Sequence, residues 1–166
     1  MKRLTGVIGL GNTLRQDDGV GLHILQAMKE GYRFQPEIDL IDGGTAGLDL
    51  LPIIEGYDKV LFVDAADTGR PPGTVVLIEG DAIPSFLTTQ GSVHHVGPSD
   101  LLFAARMADV LPPHVCLVGI QPESNDLGLQ LTDTLKNSFA LVLGAVADQL
   151  HKWAVQLVIN EPSRGL

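Results

Sequence analysis

Three separated segments of this chain carry charged side chains where their types and spacing could do chemistry. In the first, "GLGNTLRQDDGVG", Asp17 and Asp18 stand together at the mouth of a predicted helix. One aspartate is enough to cap a helix and favour its dipole, so the second is spare and points toward the strand ends. In the second, "VDAADTG", Asp64 closes an apolar run, which puts its carboxylate at a sheet rim. Burial there is costly unless the group is paired, hydrogen-bonded or metal-bound. A turn role suits Asp67 better, because Asp67 precedes Thr68-Gly69. The third, "SVHHVGPSDLL", places His94 and His95, two of the five histidines, directly before a helix. One imidazole and two carboxylates from separate segments match an open, three-ligand divalent-metal site. Zinc, nickel, manganese and iron(II) all suit such donors, and residue types alone do not choose among them.

Nucleophilic chemistry has little support. No GxSxG elbow is present, and the single cysteine, Cys116, falls inside a predicted strand, which suits an inert, buried thiol. The same count excludes an internal disulfide and a CxxC metal site. Gly9-x-Gly11 follows a strand, but the third glycine of a dinucleotide fingerprint would fall at Leu14, leaving a nucleotide-binding module as a weak alternative. His23, His114 and His151 read as ordinary helix and loop residues, and Trp153 as a core or partner-facing side chain. Gln121, in "GIQPESND", borders the site and could hydrogen-bond a substrate backbone, although a satisfied loop amide is the commoner case.

The elements that must position these groups alternate along the chain. Apolar runs predict strands over residues 4–10, 37–41, 59–63, 74–78 and 114–119. Helical spacing covers residues 19–29, with Asp17 as N-cap and Gly31 as stop, a short piece at 48–54, then 98–107 and 133–155. The connection between the third and fourth strands is only about ten residues and holds two prolines. A helical crossover does not fit there, so the fourth strand should run antiparallel to the third. Residues 81–93 read as loop, and the tail 160–166 as frayed. The pattern predicts one α/β domain over residues 1–166, a three-layer α/β/α sandwich around a five-stranded, mixed, mostly parallel sheet. Ligand sites in such sheets lie beyond the carboxyl ends of the strands, after the first, third and fifth here. The roughly fourteen residues from Gly80 to Val93 could span up to ~45 Å, enough to return His94 to that edge.

Composition narrows the classes. The 166 residues are 45% apolar and 19% charged, too hydrophobic for disorder and long enough for one well-buried core. With 11 basic against 20 acidic side chains the net charge is −9, which argues against nonspecific nucleic-acid or anionic-membrane binding. No apolar run approaches the ~18 residues of a membrane span, and no signal-peptide core follows Met1-Lys2-Arg3, so a cytoplasmic protein is expected.

Together, "GLGNTLRQDDGVG", "DGGTAGLDLL", "VDAADTG", "SVHHVGPSDLL" and "GIQPES", in that order and spacing, resemble the endopeptidases that mature the large subunit of nickel–iron hydrogenases. The resemblance covers most of the chain, from Gly9 to Ser124. It implies a phosphorylase/hydrolase-like α/β fold with one antiparallel strand. The implied activity is removal of a short C-terminal extension from the hydrogenase large-subunit precursor after nickel insertion. The family's metal-contacting and catalytic positions fall on Asp18, Asp64 and His94, with His95 the neighbouring alternative. The loop Asp42, Gly43, Gly44 and Thr45 matches a segment associated with substrate recognition. Nickel would be supplied by the precursor, with another divalent metal able to occupy the site in isolation, and the protein would act as a monomer. A noncatalytic chaperone for a metalloenzyme subunit is the other alternative.

Overall fold

The computed structural model describes residues 3–84 and 97–161. Among the described residues, seven strands fall into two sheets. The larger has the order β3 (Asp39–Gly44), β1 (Arg3–Leu10), β4 (Tyr57–Ala65), β6 (His114–Ile120), β5 (Val75–Glu79). All neighbours are parallel except β5 and β6. The expected antiparallel strand is therefore present: β5 runs against the direction of β4 and hydrogen-bonds to β6 at the sheet edge.

The central strands are apolar on both faces because both faces are covered. Successive residues alternate between two cores: Val7, Leu61, Val63 and Val118 face one side, and Ile8, Phe62 and Leu117 the other. The first core is closed by α1 (Val20–Gly31) through Ile24, Leu25 and Met28. The last helix, α4 (Asp133–Lys152), joins it through Leu135, Val142, Val146 and Leu150. The second is closed by Leu50, by Ile54 of the single-turn α2 (Leu51–Ile54), and by Leu101, Leu102 and Ala105 of α3 (Pro98–Met107). Each fully buried side chain of this kind stabilises by about 1.5–3 kcal/mol. This is the expected three-layer architecture. No helix among the described residues is long and apolar enough to cross a membrane.

Two elements were not foreseen. The last helix ends at Lys152 rather than at residue 155, and Ala154 takes a positive φ of 62° that turns the chain back. Residues that follow form β7 (Gln156–Ile159), antiparallel to β2 (Tyr32–Gln35), in a two-stranded ribbon at the end of α1. Asn160, at the head of the expected frayed tail, is tied down: its N–H donates to the Gly31 carbonyl at 2.9 Å and its Nδ2 to that of Glu30 at 3.1 Å.

Candidate active site

The active edge is built first from backbone approaches that only glycine permits. A Cβ on Gly21 would lie 2.1 Å from the Val63 carbonyl oxygen and 2.7 Å from that of Leu10. The first turn of α1 therefore rests directly on the ends of β1 and β4. Gly11 has φ of 122°, and a Cβ there would fall 1.8 Å from the Asp18 carbonyl oxygen. Its N–H donates to the Gly44 carbonyl at 2.9 Å, tying the end of β3 to the same edge. The glycine spacing that resembled half a dinucleotide fingerprint has packing reasons of its own.

Asp17 and Asp18 divide their work differently from the sequence expectation. Asp17 is not the helix cap. A 3-10 turn (Gln16–Gly19) precedes α1, Gly19 holds the N-cap position without a side-chain bond, and Asp17 is fully buried. One Asp17 carboxylate oxygen, Oδ2, accepts from the N–H of Glu123 at 2.9 Å, of Ser124 at 3.1 Å and from the Thr132 hydroxyl at 2.8 Å. Oδ1 accepts from the Thr132 N–H at 2.8 Å. The carboxylate thus clamps both ends of the long segment between β6 and α4. Thr132, the N-cap of α4, also accepts from the Leu135 N–H at 3.4 Å. Sequence reasoning missed this role of Asp17. A threonine just before the Asp133 helix start was its only local signal.

Asp18 is half-buried, and its carboxylate accepts from the Asn12 N–H at 2.9 Å. Asp64 is the penultimate residue of β4, half-buried and paired in register with Gly119 of β6. Burial lifts its carboxyl well above the ordinary carboxylate range. The charge of Asp18 adds to that lift, and a hydrogen bond from the Ala65 backbone opposes it in part. Two segments far apart in sequence thus bring two carboxylates into mutual repulsion at the carboxyl edge of the sheet. Such a pair can receive a cation or hold a proton for transfer.

The remaining candidates distribute around this pair. His94 and His95 lie outside the described residues, a short step before Gly97, which opens α3. Among the described residues no third ligand joins the two aspartates. Asp42 and Thr45 are exposed at the end of β3, whereas Gly43 is buried, with Ile8 and Leu10 leaving no room for a Cβ. Gly44 takes a positive φ of 44° at the turn. Gln121 has its amide oxygen engaged by the Thr68 N–H at 2.5 Å and hydroxyl at 2.8 Å, so it braces the loop after β4. Cys116 is buried, and its thiol is pushed up to about 12 by burial and then by Glu79, with Lys152 opposing, as an inert cysteine requires.

Comparison with known proteins adds to this geometry. The sequence profile of the hydrogenase maturation protease family matches residues 22–149. The chain is 36% identical over 148 residues to the hydrogenase expression/formation protein HoxM of Cupriavidus necator, covering 88% of this chain and 73% of that one. It is 31% identical over 156 residues to the hydrogenase 2 maturation protease of Escherichia coli, covering 93% and 95%. In structure it is similar to the hydrogenase maturating endopeptidase HybD of Escherichia coli, with a TM-score of 0.87 at 30% identity over 96% and 98% of the two chains.

Proposed function

This chain belongs to the hydrogenase maturation protease family and is an endopeptidase of that kind, and we propose that it frees the large-subunit precursor of a nickel–iron hydrogenase from its C-terminal extension once nickel is in place. The observation that carries this reading is the placement of Asp18 and Asp64 where the neighbouring parallel strands β1 and β4 end, at the carboxyl edge of the sheet. Nickel arrives on the substrate, and Asp18, Asp64 and His94 complete its coordination. Imidazole nitrogen and carboxylate oxygen are donors that suit it. The cation relieves the repulsion between the two aspartates, so a loaded precursor gains an interaction that an empty one lacks. Selectivity follows from that difference, because the metal-free precursor leaves the charged pair unsatisfied.

In this reading the metal positions the scissile bond, and a rim carboxylate assists the attacking water. The water oxygen bonds to the peptide carbonyl carbon while its proton passes to the carboxylate. The C–N bond then breaks, and the departing amine takes that proton. Asp42 and Thr45, exposed at the end of β3, and the backbone of Gly43 and Gly44 contact the precursor chain. The protein acts in the cytoplasm as a monomer that docks transiently on one large subunit.

The test is the intact mass of nickel-loaded precursor before and after incubation with this protein, alongside nickel-free precursor and the His94→Ala variant. Loss of a C-terminal peptide only with nickel and intact His94 is the expected result. Stable complex formation without a mass change would instead indicate a chaperone. If Asp64→Asn abolishes cleavage while precursor binding survives, Asp64 takes part in the chemistry and does more than hold the metal.

A further inference from the structure

Three leucines stand out at the active edge because the fold exposes them on backbone that it takes trouble to fix. Leu14 is 58% exposed, Leu127 78% and Leu129 69%. A single exposed leucine means little. These three are drawn together by the backbone: the Gly128 N–H donates to the Leu14 carbonyl, and the Gln16 N–H to the Gly128 carbonyl, both at 2.9 Å. Arg15 and Gly128 form an isolated parallel bridge. The segment leaving β6 thereby reaches the segment leaving β1, the strand on the other side of β4, and the end of β4 carries Asp64. Leu14 itself precedes Asp18 by four residues.

The joined segments are anchored by Asp17, which binds Glu123 and Ser124 at one end of the β6–α4 connection and Thr132 at the other. Leu127 and Leu129 contribute little to that anchor, since more than two thirds of each is in solvent. Polar residues could replace them without disturbing any of these backbone bonds. Their apolar character is therefore not needed to hold this loop in place. Exposed Asp67, Glu123 and Asp126 join Asp18 and Asp64 around this edge, against Arg15 and Arg70, so an acidic ligand segment is disfavoured.

We propose that Leu14, Leu127 and Leu129 form an apolar lip that seats an extended, apolar-bearing, non-acidic stretch of the precursor beside the scissile bond. The inference rests on the proteolytic reading, and the lip is built on the segment that carries Asp18, whose backbone at Leu14 and Gln16 is bonded to Gly128. It accounts for the rigid anchoring: a lip fixed to the segment that carries Asp18 holds the bound chain in register with the reacting groups.

The test compares cleavage kinetics on nickel-loaded precursor for the wild type, the double variant Leu127→Ser/Leu129→Ser, and Leu14→Ser. Direct binding to the precursor is measured in parallel. KM should rise at least about tenfold for the double variant and several-fold for Leu14→Ser, with kcat and thermal midpoint near wild type. Met107→Ser and Ile159→Ser remove equally exposed apolar groups, 74% in each case, from the end of α3 and from the β2–β7 ribbon. They should leave KM unchanged. Wild-type cleavage with an unaltered KM in the double variant would overturn the lip and leave the proteolytic reading standing. Equal losses from the two control variants would overturn it too. So would a wild-type dimer in sedimentation that the double variant abolishes, because a second copy would then be the occupant. If wild type binds without cleaving, the proteolytic reading fails and the same tenfold loss is required of Kd. Absence of both cleavage and binding would remove both proposals.

Discussion

The two ends of α1 solve opposite problems. At its start the chain is pressed against β1 and β4, one carboxylate is fully buried, and two more repel each other. At its finish, Gly31 leads into a small ribbon whose strands satisfy one another and whose last backbone bond ties Asn160 to Gly31. The first end holds charges that a stability-driven design would remove. Among the described residues the second holds no group that the proposed reaction uses, and it fastens the segment that follows α4. In the proposed mechanism the reacting groups lie where electrostatics oppose folding, and compensation must come from packing and hydrogen bonds nearby. Asp17 is that compensation. Its four accepted hydrogen bonds stand between the charged pair and a loose edge.

Removing the Asp17 clamp should have the largest effect on the start of α1. Asp17→Ala removes a fully buried carboxylate that accepts four hydrogen bonds, so a loss of about 3–5 kcal/mol is expected, measured by urea denaturation. Cleavage should fall with it, because the segment carrying Asp18 loses its fixed neighbour. A smaller stability loss is expected from Gly21→Ala, about 1–3 kcal/mol, since helix and strand ends must separate to admit the methyl group. If either variant keeps full stability, the start of α1 is not the tightly fastened end described here.

Asp64→Asn should separate stability from activity. A carboxyl whose folded pKa is raised above its unfolded value opposes folding when it ionises. Stability is thus unaffected below the unfolded carboxylate range and is lost as pH rises from there toward the folded pKa. The variant lacks that loss. Wild type and variant should respond to pH alike in strong acid, and the variant should gain relative stability at neutral pH, as thermal midpoints across pH 3–8 would reveal. Cleavage should drop by at least ~100-fold at the same time. A variant that is less stable than wild type at neutral pH would mean that the pair is not repulsive.

Cys116 gives a milder check on the core behind the site. Its thiol is raised from 9.0 to about 12, so the folded state ionises later than the unfolded one. Stability should therefore decline as pH climbs from about 9 toward 12, and Cys116→Ala should flatten that decline. Native protein should also react with a thiol reagent at pH 8 far more slowly than unfolded protein does.

Much of this was legible in the sequence, for physical reasons that differ by element. Apolar runs long enough to be buried on both faces identified β1, β4 and β6. Two prolines in a short connection identified the reversed strand. Asp64 was legible because a carboxylate ending such a run must sit at the rim. What stayed hidden depended on distant partners. Asp17 and Asp18 are adjacent and identical in type, and only the amides of residues 123, 124 and 132 decide which is buried. The ribbon was hidden because β2 and β7 are four residues each, exposed on alternate or most positions, and each exists only by pairing with the other. The neighbour of β5 was not legible for the same reason: chain direction can be read from a connection length, whereas the neighbouring strand cannot.

The ribbon supplies the smallest and most discriminating perturbation. Asn160→Ala removes the side-chain bond from Nδ2 to the Glu30 carbonyl but keeps the backbone bond to Gly31. Both groups are exposed, so water replaces the lost partner and a change of about 0.5–1 kcal/mol or less is expected in the denaturation midpoint. Cleavage of the precursor should be unaltered in both KM and kcat. The contrast with Asp17→Ala is then direct: two hydrogen-bonding side chains lie near opposite ends of one helix, one coupled to the reacting groups and one coupled only to stability. A kcat that falls in Asn160→Ala would show that α1 transmits its far end to Asp18, and the division between the two ends would fail.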